Sequence, residues 1–138
     1  GYYWASGAMS FTPRDLAKFG QLYLDNGMYN GNQIIPAEWV EQSLQIYSEQ
    51  TYNTDIMNSI SDLGYGYYWW LSKYKGRDKT FETIFAAGHG GQRVMVVPEL
   101  DLVAVFTSKP DDNPKGHQRI IKIMEKYILP SMSTPKDK

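Results

Sequence analysis

A glycine-rich segment with one histidine is the part of this sequence whose residue types could do chemistry. The segment reads Ala86-Ala87-Gly88-His89-Gly90-Gly91-Gln92-Arg93-Val94. Glycine weakens a strand and is expected where the backbone must bend or where a ligand must approach it closely. An imidazole there could donate to a substrate, and exposed backbone N–H groups could bind an oxyanion. The residues alone leave a second interpretation open, a glycine-rich hairpin with an incidental surface histidine.

Cofactor and metal chemistry has little support in the sequence. The chain contains no cysteine and two histidines, so it offers neither a thiol nucleophile nor a cysteine-based metal site. The second histidine, His117, stands at the start of the last predicted helix, where a solvated or helix-capping role is expected. It has no His or Asp at a metal-binding spacing. We therefore expect no metal and no cofactor.

The size and charge of the chain exclude other classes of partner. The chain has 138 residues, an apolar share of 42% and a net charge of −1. This is enough for one soluble globular domain, and the balanced charge disfavours nucleic acid and anionic membranes. No apolar run approaches the roughly 20 residues of a membrane helix. The start, Gly1-Tyr2-Tyr3-Trp4, has no initiator Met and no signal pattern, as expected of a fragment.

Three helices are predicted from capping and periodicity. The first spans 13–26, begun by the capping pattern Thr12-Pro13-Arg14-Asp15 and ended by Asn26-Gly27. A second begins after Ile35-Pro36 and fades near Tyr47. The third carries an apolar stripe and should end at Pro130; the stripe comprises Ile120, Ile121, Met124, Tyr127 and Ile128.

The middle of the chain changes to the alternation typical of strands. Four strands are predicted, at 65–71, 80–87, 93–97 and 102–107, with a turn at Pro98-Glu99-Leu100-Asp101. A polar segment at 48–63 is expected to be a long loop. These elements predict an α+β fold, in which the terminal helix covers one face of an antiparallel sheet and the two early helices attach to the other side.

The aromatic run at 65–70 has two interpretations. Its side chains, Tyr65, Tyr67, Tyr68, Trp69 and Trp70, could form a platform that stacks on sugars or peptides. Alternating aromatic residues on a half-buried strand are more often core or cross-strand pairs. The core interpretation is the one favoured by the sequence.

The order of motifs along the chain resembles the serine β-lactamase and penicillin-binding-protein-like family. This family includes class C β-lactamases, D-alanyl-D-alanine carboxypeptidases, esterases and 6-aminohexanoate-dimer hydrolases. The resemblance covers nearly all of residues 1–129. The motifs that carry it are Gly7 to Leu24, Gly27, Gln33-Ile34-Ile35-Pro36, Tyr65-Gly66-Tyr67-Tyr68-Trp69-Trp70 and Gly88-His89-Gly90-Gly91.

The resemblance implies roles for the glycine-rich segment. In this family the third motif, Lys-Thr-Gly or His-x-Gly, lies on the strand beside the catalytic serine. His89 then takes the position of the lysine and orients the substrate, while Gly90 and Gly91 let the strand approach it. The backbone N–H of Gln92 would be one of two oxyanion donors. The implied reaction is acyl transfer through a serine ester, with a D-amino-acid peptide, a β-lactam or a small ester or amide as substrate.

Two motifs of the family lack a convincing match. No Tyr-x-Asn occurs, and Ser-x-x-Lys occurs only at 72–75, expected in a turn, and at 133–136, which includes a proline in the expected tail. Both are best explained as chance. We therefore expect residues 1–130 to be the C-terminal portion of the hydrolase domain, followed by a disordered tail at 131–138.

The expected partners follow from the same resemblance. They are a small-molecule or peptide substrate and the missing N-terminal part of the same protein, without which the fragment should be inactive. Relatives that act on cell-wall material imply a location outside the cytoplasm. Two alternatives stay open: a non-catalytic module that holds peptidoglycan or another polymer, and a degenerate family member that keeps the fold for interaction alone.

Overall fold

The computed structural model describes residues 10–49, 61–88, 91–108 and 115–132, with the backbone alone at 61–63 and 115. Four α-helices lie in these ranges: α1 (Pro13–Leu24), α2 (Ala37–Ser43), α3 (Lys115–Ile123) and α4 (Leu129–Met132). A π turn at Met124–Ile128 joins α3 to α4, and a 3₁₀ turn covers Pro98–Leu100. The strands are β1 (Met28–Tyr29), β2 (Asn32–Gln33), β3 (Ser48–Glu49), β4 (Ser61–Tyr65), β5 (Trp70–Lys75), β6 (Thr80–Ala87), β7 (Arg93–Val97) and β8 (Leu102–Phe106).

Within the described ranges, six strands form one antiparallel sheet in the order β3-β4-β5-β6-β7-β8. The order in the sheet is the order in the chain, so each strand pairs with the next. Strand β7 is buried at all of its positions. The α+β fold with an antiparallel sheet and a C-terminal helix is thereby confirmed.

Helices cover both faces of this sheet, because successive side chains of a strand point to opposite faces. On one face, Phe85 of β6 and Met95 of β7 pack with Ile121 of α3 in the larger core cluster. On the other face, Ile84 and Ala86 pack against a smaller cluster of Tyr23, Val40 and Trp69. The early helices and the terminal helix are thus separated by the sheet.

Helix α1 begins as its sequence predicts and lies directly on the sheet. The Thr12 hydroxyl accepts a hydrogen bond from the backbone N–H of Asp15 at 3.2 Å and donates to its carboxylate at 2.6 Å. Gly20 is the contact point, since a Cβ built there would lie 2.6 Å from Val103 Cγ1 and 3.0 Å from Val94 Cγ1. The glycine lets the helix backbone come closer to β7 and β8 than a side chain would permit.

The predicted strand at 65–71 is wrong, because the chain turns between β4 and β5. The N–H of Gly66 donates to the carbonyl of Trp69 at 2.8 Å, and Tyr68 adopts a φ of 64°. A side chain at Gly66 would lie 2.2 Å from the Ser43 carbonyl oxygen, so glycine is required at the turn. The segment 72–75, expected in a turn, lies in β5.

The terminal helix differs from its prediction at Pro130, which does not end it. The N–H of Leu129 donates to the carbonyl of Met124, five residues earlier. This π turn places one extra residue in the helix just before the proline. The buried stripe therefore steps from Met124 to Leu129, both fully buried, and Tyr127, expected in the stripe, is 60% exposed.

Two further expectations, the long polar loop and the C-terminal tail, lie partly outside the described residues. Of the long polar segment, only β3 and β4 at its ends are described, and residues 50–60 lie outside the described residues. Ser131 and Met132 belong to α4, whereas 133–138 lie outside. No helix in the described ranges is long and apolar enough to cross a membrane.

The close approach of α1 predicts that Gly20→Ala destabilises the protein. Alanine favours a helix over glycine by about 1 kcal/mol, but here its Cβ would overlap Val103. We expect the overlap to prevail and the free energy of unfolding to fall by about 1–3 kcal/mol. Urea denaturation measures the change.

The matched control is Val103→Ala, alone and combined with Gly20→Ala. Removing both Val103 γ-carbons makes room for the new methyl group, so the double variant should lose less stability than the sum of the single changes. Additive losses, or a stabilised Gly20→Ala protein, would contradict the packing of α1 on β8.

Candidate functional site

Gly88, Gly91 and Gln92 of the glycine-rich segment lie at the turn between β6 and β7. The last strand pair is Ala87 with Arg93, and beyond it the N–H of Gly88 donates to the carbonyl of Gln92 at 2.9 Å. The N–H of Gly91 donates to the carbonyl of Gly88 at 3.3 Å, with a φ of 95° at Gly91. This left-handed conformation favours glycine and supports its predicted need there.

Two of the sequence-predicted site residues, His89 and Gly90, lie outside the described residues. Their neighbours Gly88 and Gly91 are described and bracket them at the turn. The roles of His89 in orienting substrate and of Gly90 in its approach remain predictions.

An open groove of about 890 Å³ runs between α1 and the ends of β6 and β7. Its walls are mostly apolar, and Phe11, Phe19 and Ile34 are exposed along it. The strand residues that border it include the three immediately before His89. The described residues that line it are Phe11, Asp15, Leu16, Lys18, Phe19, Leu22, Tyr29, Ile34, Ala86, Ala87, Gly88, Gln92, Arg93, Val94 and Thr107.

Gln92 secures the turn from the groove side. Its Nε2 donates to the carbonyl of Ser108, just beyond β8, at 2.9 Å. Its Oε1 is buried, has no hydrogen-bond partner among the described residues, and would lie 3.0 Å from a Cβ at Gly88. The side chain therefore fills the space beneath Gly88 and joins the turn to the end of β8. The predicted role of the Gln92 backbone N–H as an oxyanion donor stays a prediction.

The charged residues on the helix side of the groove are paired with each other. Lys18 Nζ lies 3.3 Å from Asp15 Oδ1. The hydrogen bond from the Thr12 hydroxyl, followed by that from Lys18, lowers the pKa of Asp15 below its ordinary value. Asp15 is accordingly a cap of α1 that stays ionised near neutral pH.

Sequence reasoning missed a buried polar contact behind the turn. Arg93 is 1% exposed, and its Nη1 donates to the hydroxyl of Tyr74 at 2.7 Å. Its Nη2 donates to His117 Nδ1 at 3.2 Å. His117 was expected to be solvated or to cap the helix, but it is half-buried and bound to β7. The signal available in the sequence was strand parity, since Arg93 shares a face with Met95 and Val97.

The local Ser-x-x-Lys at 72–75 does not form a nucleophile and base pair. Ser72 is 5% exposed and faces the α3 side, whereas Lys75 is exposed. Residues three apart in a strand point to opposite faces. The position of Ser72 supports its interpretation as a chance match.

The aromatic run divides into buried and exposed parts. Trp69 is 2% exposed and packs on Tyr23, with ring centroids 4.3 Å apart, as the core interpretation predicts. Tyr67 stands outside, stacked on Tyr47 at 4.8 Å and 5.5 Å from Trp39. A hydrogen bond with Tyr67 raises the pKa of Tyr47 above its ordinary value. Trp39, Tyr47 and Tyr67 form an exposed aromatic cluster.

In the part of the chain that the structure describes, no three His, Cys, Asp or Glu side chains lie close enough together to hold a metal ion.

The chain is similar to several known proteins. A 6-aminohexanoate-dimer hydrolase from Paenarthrobacter ureafaciens is 30% identical over 117 residues, which are 83% of this chain and 29% of that protein. An uncharacterized protein of Alkalihalophilus pseudofirmus is 27% identical over 114 residues, which are 78% of this chain and 32% of that protein. This chain thus spans less than a third of either relative.

A solved structure agrees with these sequence relatives. It comes from Bacillus anthracis, is named provisionally as a 6-aminohexanoate-dimer hydrolase, and matches with a TM-score of 0.53 at 26% identity. The match covers 81% of this chain and 27% of that one. The model of the beta-lactamase family matches residues 1–127, which include all the strands and the turn described above. The chain therefore belongs to the beta-lactamase family, whose hydrolase fold it shares.

Proposed function

We propose that this chain is the substrate-strand portion of a serine hydrolase of the β-lactamase type. In the longer protein, a serine attacks the carbonyl carbon of an ester, amide or β-lactam and a seryl ester forms. The carbonyl C–O or C–N bond breaks, and its oxygen or nitrogen takes the proton lost by the serine; this group departs from an ester or amide and stays attached in an opened β-lactam. Water then hydrolyses the ester and regenerates the serine. We place this longer protein outside the cytoplasm.

The groove beside β6 is the observation that supports this proposal most directly. It borders Ala86, Ala87 and Gly88, the residues that lead to His89. A reacting acyl group in the groove would thus meet the strand edge where the family motif is expected. The mostly apolar walls also suit the exclusion of water from an ester intermediate.

We assign the roles at the turn as the family motif implies. His89 orients the substrate, Gly90 and Gly91 allow its close approach, and the Gln92 N–H stabilises the oxyanion with a second N–H from the nucleophile. The Gln92 side chain, held by its hydrogen bond to the Ser108 carbonyl, supports this role, because a donor assists only if its position is fixed before the charge develops.

The nucleophile and its base would come from residues beyond this chain. The only local candidate in the described residues, Ser72, is buried in β5 away from Lys75. This chain spans less than a third of each of the two relatives. A longer protein of their size would have enough further sequence to hold Ser-x-x-Lys and Tyr-x-Asn.

The first test uses the longer protein and the 138-residue chain side by side. The longer protein should react with a fluorophosphonate probe and hydrolyse at least one of p-nitrophenyl acetate, nitrocefin and the linear 6-aminohexanoate dimer. The 138-residue chain alone should do neither, because it lacks the attacking serine. Mass spectrometry of the labelled peptide identifies the nucleophile.

A second prediction concerns His89 in that longer protein. His89→Ala should lower kcat/KM about 100-fold, because substrate orientation at the strand is lost. Ser72→Ala is the matched control and should leave kcat/KM within about twofold. Hydrolysis by the 138-residue chain that Ser72→Ala abolishes would contradict the proposal.

Polymer binding is a second candidate function, favoured by the exposed aromatic cluster. Trp39, Tyr47 and Tyr67 present aromatic surface on which a sugar ring or peptide could stack. Trp69, considered for this role from the sequence, is core, so its replacement would test the fold and not binding.

Pull-down with insoluble peptidoglycan tests this second function. If the cluster binds the polymer, Tyr67→Ala should weaken binding about tenfold, the loss expected for one central aromatic contact. His89→Ala is the control and should bind as the unchanged protein does. Equal binding by the Tyr67→Ala protein would exclude this cluster as the binding surface.

A further inference from the structure

Arg93 carries a charge that is almost entirely withdrawn from water. The residue is 1% exposed and its side chain lies on the α3 face of the sheet. A buried cation is unfavourable unless hydrogen bonds and a partner charge compensate for lost hydration. Among the residues that the structure describes, no carboxylate lies within salt-bridge distance of the Arg93 guanidinium.

The described hydrogen-bond partners of Arg93 are uncharged side chains. Nη1 donates to the Tyr74 hydroxyl at 2.7 Å, Nη2 donates to His117 Nδ1 at 3.2 Å, and the guanidinium carbon lies 4.6 Å from the centre of the Phe85 ring. Burial lowers the pKa of Arg93, and attraction to Tyr74 opposes that shift. Arginine nevertheless stays protonated in proteins, so the partners face a cation.

The contact with Arg93 fixes the protonation of His117. A guanidinium only donates hydrogen bonds, so Nδ1 of His117 must accept and cannot carry a proton. The ring proton then lies on Nε2 and the imidazole is neutral. Protonation of Nδ1 would set one N–H against another at the 3.2 Å contact and bring two positive charges together.

The first turn of α3, which contains His117, packs against the candidate site. A Cβ built on Gly91 would lie 3.3 Å from the carbonyl carbon of Gly116 and 3.5 Å from its Cα. Gly116 is the residue before His117, so the arginine contact and the glycine contact hold adjacent residues. On the groove side, the Gln92 side chain holds the β6–β7 turn through its hydrogen bond to the Ser108 carbonyl.

We propose that Arg93 is a positioning residue: through His117 it holds the first turn of α3 against Gly91, and so sets the position of the Gly91 and Gln92 backbone. The bearing of Arg93 on catalysis rests on the proposed function. The position of the β6–β7 turn does not depend on that function and can be measured without any substrate.

The contact makes this position sensitive to pH. The charged group that contacts His117 is Arg93 of β7, and Arg93 also contacts Tyr74 of β5. Two further charged residues lie nearby in the chain. Arg119 of α3 is exposed, and Glu125 of the π turn accepts from the Lys75 N–H at 3.0 Å. In the unfolded chain imidazole titrates near pH 6.5, roughly. Because the folded contact excludes a proton from Nδ1, its stabilisation is complete above that pH and is lost as pH falls below it.

Nitrogen NMR of the purified protein tests the protonation state. At mildly alkaline pH, the spectrum should place the His117 proton on Nε2, with Nδ1 unprotonated. A proton on Nδ1 at that pH would contradict the proposal, since the Arg93 contact could not exist.

Amide hydrogen exchange at Gly91, whose N–H donates to the Gly88 carbonyl, tests the positioning role. Arg93→Met should lower the protection of this amide about tenfold or more, the effect of losing a hydrogen bond from a charged group. Arg93→Lys, which keeps the charge but cannot reach both partners, should give an intermediate loss. Lys122→Ala, an exposed change on α3, is the control and should leave this amide unaffected.

His117→Asn separates the hydrogen bond from the titration. The Oδ1 of asparagine lies close to the position of Nδ1 and accepts without titrating. The protection of the Gly91 amide, which is its exchange rate relative to an unstructured amide at the same pH, should therefore become independent of pH in the acid range. The same acid-induced loss of protection in the variant as in the unchanged protein would overturn the proposal. If the exchange results are as predicted but the longer protein hydrolyses its substrates only slowly, the proposed function alone is contradicted. If exchange in an active Arg93→Met protein is unchanged, the positioning role alone is contradicted.

Discussion

Burial of β7 on both faces is the constraint on which the rest of this structure depends. All five of its residues are buried, so apolar cover is needed on each side of the sheet. Helix α1 gives that cover at Val94 through the glycine contact with Gly20, and α3 gives it at Met95. The first residue of the strand, Arg93, brings a charge into the same buried layer, which is why it needs Tyr74 and His117.

Local patterns in the sequence predict part of this fold and miss the parts that depend on contacts between distant residues. The caps of α1, the strands β6 to β8 and the presence of a terminal helix follow from local patterns, and the structure has them. The break between β4 and β5 was hidden because Tyr67 and Trp69 look alike in a pattern of aromatic residues. At this turn Gly66 lies too close to the Ser43 carbonyl for any side chain, and that contact joins elements distant in the chain. The π turn before Pro130 is hidden for a similar reason, since periodicity assumes a constant helical repeat.

The candidate site was only partly accessible to the same reasoning. The glycine-rich segment stands out by composition, and its location at the β6–β7 turn follows from the strands on either side. The groove depends on where α1 lies, and the Arg93–His117 contact joins residues 24 apart in the chain. Neither has a local signature beyond the parity of Arg93 among buried neighbours.

The sequential order of the strands has a consequence for folding. Every sheet pairing from β3 to β8 joins consecutive strands, so each strand can pair with the one formed just before it. Proteins dominated by such local contacts fold faster than those whose strands must find distant partners. The sheet can therefore grow hairpin by hairpin, and the groove beside it becomes complete only when α1, which precedes the strands in the chain, packs on β7 and β8.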